Sequence, residues 1–213
     1  MSSSTLSLQN FNISKIFISI ITSSILILLL GLVHLYEKAP IFVLTSDLVA
    51  ISKVPVYTGF FSQLGIFFWA GTTAVCLFTA IISNKIQNSL VEKRFFIFSG
   101  LFTLFLGFDD IFLFHEKVLP NLGMPEKFVY LFYFGLVFIY FLKFYKFIIK
   151  TDYVLLLIAL SLFGLSIVLD KFNSFGFHRY FWEDCAKMIG IVNWFFYFFF
   201  KAKQFITKNF VEK

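Results

Sequence analysis

Several runs of roughly 20 apolar residues, the length that crosses the hydrocarbon core of a bilayer, constrain this chain more than any other feature. They cover about Lys15–Tyr36, Tyr57–Ser83, Arg94–Glu116, Lys127–Ile149, Tyr153–Leu169 and Tyr180–Phe200. Backbone in lipid must satisfy its hydrogen bonds within its own segment or in a closed barrel. These runs are continuous rather than alternating, so each predicts a helix. Composition agrees. Of 213 residues, 59% are hydrophobic and only 14% charged, and the mean hydropathy is +0.87. So few polar side chains could not cover a soluble domain of this size. The expected fold class is all-α: a polytopic membrane protein, a bundle of about six transmembrane helices.

Three parts are expected along the chain: a polar, Ser-rich and mobile N-terminal segment over 1–14, a six-helix transmembrane domain over 15–203, and a basic cytoplasmic tail over 204–213. The N-terminal segment has no basic start and the first apolar run no small-residue cleavage site, so the first span is expected to stay in the mature protein. Between spans one and two, Glu37–Val56 carries Pro40 and Pro55 near its ends. It is too short to cross and predicts an interfacial or re-entrant piece. Ser46 or Asp47 within it could cap a brief helix. Gly65 and Gly71 in span two, and Ala186 and Gly190 in span six, allow close helix contact. Cys76 and Cys185 both fall inside predicted spans and read as buried, apolar-like residues rather than a disulfide or a metal pair.

Basic residues set the expected orientation. With the N-terminus in the cytoplasm, the inner segments hold Lys15, Lys85, Lys93, Arg94, Lys143, Lys146, Lys150, Lys201, Lys203, Lys208 and Lys213, against six on the outer side. The positive-inside rule therefore predicts both termini cytoplasmic, in a cell (inner) membrane. The formal charge of +6 follows from that topology, so nucleic acid is not an expected partner; membrane lipids and partner membrane subunits are. Most acids and all three histidines, His34, His115 and His178, then gather on the outer side.

The stretch Gly107–Lys117 concentrates this asymmetry. It places Asp109, Asp110, His115 and Glu116 at the end of an apolar span, where charge is costly and has a reason. Read as one continuous helix, it puts Asp109 and Glu116 on one face, with Asp109 and Asp110 roughly 10 Å deeper than His115 and Glu116. Span six opens with Glu183 and Asp184 and carries Lys187. Either acid could pair locally with the lysine. Spans three and six run antiparallel, and Lys187 lies as far from its end as Asp110 does from Lys117. The spacing therefore predicts a contact of Lys187 with Asp109 or Asp110, with Asp110 preferred. One reading of the cluster Asp109, Asp110, His115, Glu116, Glu183, Asp184 and Lys187 is a polar clamp that fixes helix packing. The other is a site in which Lys187 neutralises one carboxylate and leaves the second to bind or exchange protons. His34, His115, Glu116 and His178 are candidate ligands for a divalent metal such as zinc, although no His-x3-His pair is present.

The pattern Asp109-Asp110-x4-His115-Glu116, followed by Glu183-Asp184-x2-Lys187-x2-Gly190, resembles uncharacterised bacterial multi-pass membrane proteins. Those carry an Asp-Glu-x4-His-Glu helix end and an acidic pair opening the last helix. More distantly it is similar to the alkaline ceramidase-like membrane hydrolases, and that resemblance implies zinc held by three His and an Asp. Three function classes follow: a structural or accessory membrane protein, such as a subunit of a membrane complex; a metal-dependent hydrolase acting on a lipid or lipid-linked substrate at the outer leaflet; and a small transporter or proton-coupled carrier. Carriers are commonly built from inverted repeats, and no repeat is visible here.

Overall fold

The computed structural model describes residues 13–83, 90–171 and 179–211. Residues 1–12, which hold most of the segment expected to be mobile, lie outside the described residues, as does His178. Among the described residues all regular structure is helical. The chain forms two compact units, Met1–Thr58 and Gly59–Lys213.

The first unit holds α1 (Ile13–Glu37), α2 (Ile41–Thr45) and α3 (Leu48–Ser52). The apolar side chains of α1 are exposed all round, a surface suited to lipid. Lys38, at φ 52°, ends α1 in the left-handed conformation. The His34 ring donates from Nδ1 to the Ala39 carbonyl at 2.6 Å, tying down the reversal. The short pair α2–α3 occupies the stretch expected to be interfacial, and the Asp47 carboxylate caps α3 by accepting the Val49 N–H at 2.8 Å.

The second unit is an up-and-down bundle of α4 (Phe60–Ser83), α5 (Leu90–Phe112), α7 (Glu126–Ile148), α8 (Tyr153–Lys171) and α9 (Arg179–Ile206), with the three-residue α6 (Leu119–Asn121) between α5 and α7. Among the described residues five helices, α1, α4, α5, α7 and α8, are long and apolar enough to cross a membrane. The chain is thus an all-α polytopic membrane protein. α9 has the length, but charges at both ends keep it out of that apolar set. Its position explains why it carries them: it packs on both α4 and α8 and reaches α5 through its side chains, so one face is sheltered from lipid. Ala186, Ile191, Trp194, Phe198, Ala202 and Phe205 form that buried stripe, at the spacing of one helical face.

Small residues bring the backbones together as expected. A Cβ on Gly65 or Gly71 would sit 3.3 Å from Ile191 or Phe195 of α9, and one on Gly190 would lie 2.7 Å from the Phe163 ring of α8. Gly100 and Gly107 do the same for α5 against Leu77 and Trp69 of α4. Cys76 and Cys185 are free.

Candidate functional site

α5 does not continue to Glu116. Its last helical residue is Phe112, and Leu113, at φ 52°, turns the chain. One wide turn, Phe114–Val118, follows, in which both Lys117 and Val118 donate to the Leu113 carbonyl. A leucine in the left-handed region is disfavoured by about 1–2 kcal/mol, and the compensation comes from Asp109. One of its carboxylate oxygens accepts the His115 backbone N–H at 2.9 Å and the other meets His115 Nδ1 at 2.6 Å. This corrects the reading of a single straight helix with Asp109 and Glu116 on one face. The break folds His115 back onto Asp109, so the two are partners rather than residues roughly 10 Å apart. Sequence periodicity misses this because a side chain that captures a backbone N–H six residues on competes with the helix.

The predicted cross-helix pair is present. Lys187 of α9 donates to Oδ1 of Asp110. The other oxygen accepts the Trp69 indole N–H from α4 at 3.1 Å, so α4, α5 and α9 meet at one carboxylate. Asp184 acts on Lys187 only at longer range. No motif in the sequence marks Trp69. Its signal was available: an indole in the middle of a span needs an acceptor for its N–H. The same logic holds for Trp194, whose N–H reaches Thr103 at 2.9 Å.

A cavity of about 450 Å3 opens beside these pairs, between α5, α7, α8 and α9. Its walls are apolar, with Leu106 from α5, Phe134 and Val137 from α7, and Leu160 and Ile167 from α8. Gly164 of α8 also lines it, and a Cβ there would meet nothing within 4 Å. One end is polar: Asp109, Asp110, His115, Glu116, Glu183 and Lys187 all border it, with Asp170 and Ser166 of α8. Tyr130 and Tyr133 flank the His115 ring at centroid distances of 5.6 and 6.4 Å. These two tyrosines, Ser166 and Gly164 carry no motif, and only the folding of α7 and α8 over α5 brings them to the cluster.

His115 sits beyond the end of α5. Burial opposes its protonation, but the hydrogen bond and charge of Asp109, aided by Glu116 and opposed by Lys187, outweigh burial and hold its pKa above the ordinary histidine value. With Asp109 accepting from Nδ1, the remaining nitrogen, Nε2, lies 3.5 Å from Glu116 Oε1.

The metal set expected from sequence is not gathered here. Among the described residues no three His, Cys, Asp or Glu are arranged to hold an ion. His115 commits Nδ1 to Asp109, His34 caps its own helix in the other unit, and His178 lies outside the described residues. Of the expected polar cluster, Asp109, Asp110, His115, Glu116, Glu183 and Lys187 line one cavity, while Asp184 is exposed on the far side of Lys187.

A helical polytopic membrane protein with a charged cavity at one end of its bundle is the class that fold and site define. Residues 20–200 match the model of a family described as "Domain of unknown function (DUF8692)", and the chain belongs to that family. No curated protein and no solved structure gives a significant match.

Proposed function

We propose that the protein is a membrane-embedded accessory protein that binds a single-chain amphiphile. The apolar chain would lie between α7 and α8, and the polar end would meet the cluster at Asp109, His115 and Lys187. The cavity carries this reading. About 450 Å3 falls in the range of small-molecule sites, and apolar walls with convergent polar groups at one end are the usual form of such a site. A clamp that only fixed helix packing would close on itself. Here the ion pairs close, yet a space remains beside them.

Native mass spectrometry of the full chain released from micelles tests it. The wild type is expected to retain an adduct of lipid mass and the Gly164→Leu variant, whose side chain fills the open space, to lose it. Equal adducts on both would sink the reading.

A hydrolase reading is favoured by one observation, the Asp109–His115 bond, which leaves Nε2 of a fixed imidazole on the cavity as a base. In its metal-dependent form Nε2 and Glu116 would be two of the zinc ligands, and His34 or His178 the third expected from sequence. Elemental analysis of protein purified without chelator, wild type against His115→Ala, tests that form, and equal sub-stoichiometric metal in both retires it. In the orientation that the basic residues favour, both termini are cytoplasmic and the cavity opens toward the outer leaflet. Reporter fusions at Lys213 and Asn121 test this, and an extracytoplasmic signal at Lys213 overturns it.

A further inference from the structure

Building on the amphiphile-binding reading, we propose that the cavity selects amphiphiles with a cationic head group, an amine or quaternary ammonium, over anionic and uncharged ones. Three observations support this. First, the described lining holds five carboxylates, Asp109, Asp110, Glu116, Asp170 and Glu183, against the two basic side chains Lys187 and His115. Even with His115 protonated, that lining is negative.

Second, four of the donors at this end are directed at protein acceptors. Lys187 and the Trp69 N–H serve Asp110, His115 Nδ1 serves Asp109, and the Trp194 N–H serves Thr103. An anionic head group would meet a lining in which carboxylates outnumber basic side chains. The carboxylates of Asp109 and Asp110 each accept two donors and offer about four lone-pair sites, so the capacity left over suits a donor or a cation. Third, the polar end is walled by aromatic rings. Tyr130 and Tyr133 of α7 both pack near the His115 ring, and Trp69 borders the same space. Ring faces attract ammonium groups, most of all where water is excluded.

Two of the three tryptophans, Trp69 and Trp194, line the cavity, so occupancy can be read as quenching of their fluorescence. The test uses the full chain in micelles of a nonionic ethylene-oxide detergent, titrated with dibrominated 12-carbon chains bearing trimethylammonium, maltoside or sulfate heads. The expected result is quenching by the trimethylammonium probe at a concentration on the order of tenfold lower than for the other two, the factor that about 1.4 kcal/mol of added attraction gives. That preference should shrink in Glu116→Gln and in Glu183→Gln, and quenching by all probes should weaken in Gly164→Leu. Glu116 is exposed and its variant leaves the core untouched, so loss of folding does not mask the result. If the three probes quench alike and Gly164→Leu weakens all of them, amphiphile binding stands and cation selection falls. Tightest binding of the sulfate probe has the same meaning. If Gly164→Leu quenches as wild type does with every probe, the amphiphile-binding reading falls and cation selection with it.

Discussion

At its N-terminal end α5 is sealed. Phe95 and Phe96 are wholly buried, and Phe95 touches the rings of Tyr140, Phe144, Phe147 and Phe198 at centroid distances of 4.7 to 5.9 Å. The buried polar groups there are hydroxyls: Ser99 donates to the Phe95 carbonyl one turn back and pairs with the Tyr140 hydroxyl. At its C-terminal end the same helix carries two carboxylates, breaks at Leu113 and borders a cavity. The difference lies in what each polar group requires. A hydroxyl is satisfied within its own helix turn, so rings can close around it. A carboxylate at that depth needs a cation or several donors. Asp110 takes Lys187 and Trp69 from two other helices and Asp109 takes His115 from beyond the break, and beside them a space stays open between α7 and α8.

The largest expected effect tests the charged end. Lys187→Met leaves Asp110 with only the Trp69 donor and should destabilise the protein by about 3 kcal/mol, read as the midpoint of unfolding in detergent. Lys187→Met combined with Asp110→Asn should lose less than the sum of the two single changes. Additive losses would mean that Lys187 is served within α9 by Glu183 or Asp184, and the contrast between the two ends would weaken.

A pair of glycine substitutions separates sealed from open more directly. A Cβ on Gly100 would lie 2.8 Å from Leu77 and 3.2 Å from Cys76, whereas one on Gly164 meets nothing. Gly100→Ala is expected to cost about 1–2 kcal/mol through overpacking. Gly164→Ala should instead stabilise by up to about 1 kcal/mol through helix propensity. Equal losses at both would show the cavity to be closed in solution.

The smallest effect concerns His115. Its pKa in the folded protein lies above the ordinary 6.5 because Asp109 outweighs burial. The stability it contributes is therefore full below pH 6.5 and is lost as pH rises through the higher folded value. The thermal midpoint of the wild type should fall over that range, and His115→Gln should flatten the slope. An unchanged slope in the variant would show that the Asp109–His115 pair does not set it.

Much of this molecule was legible one residue type at a time. Apolar runs give helices and membrane residence because lipid offers the backbone no other partner. Lys187 and Asp110 could be paired from equal depth in antiparallel spans because an isolated charge there is costly enough to force a partner. Asp47 capped α3 because a short polar side chain before a helix does so locally. Tertiary structure alone decided the rest. The break at Leu113 depends on Asp109 reaching His115, a competition between two local hydrogen-bonding schemes that periodicity cannot rank. The indole of Trp69 finds Asp110 only once Gly107 lets α4 approach. The cavity is made of what α7 and α8 fail to fill, and empty space between helices leaves no pattern in the residues that surround it, since its walls are apolar whether they face a neighbour, a lipid or a ligand.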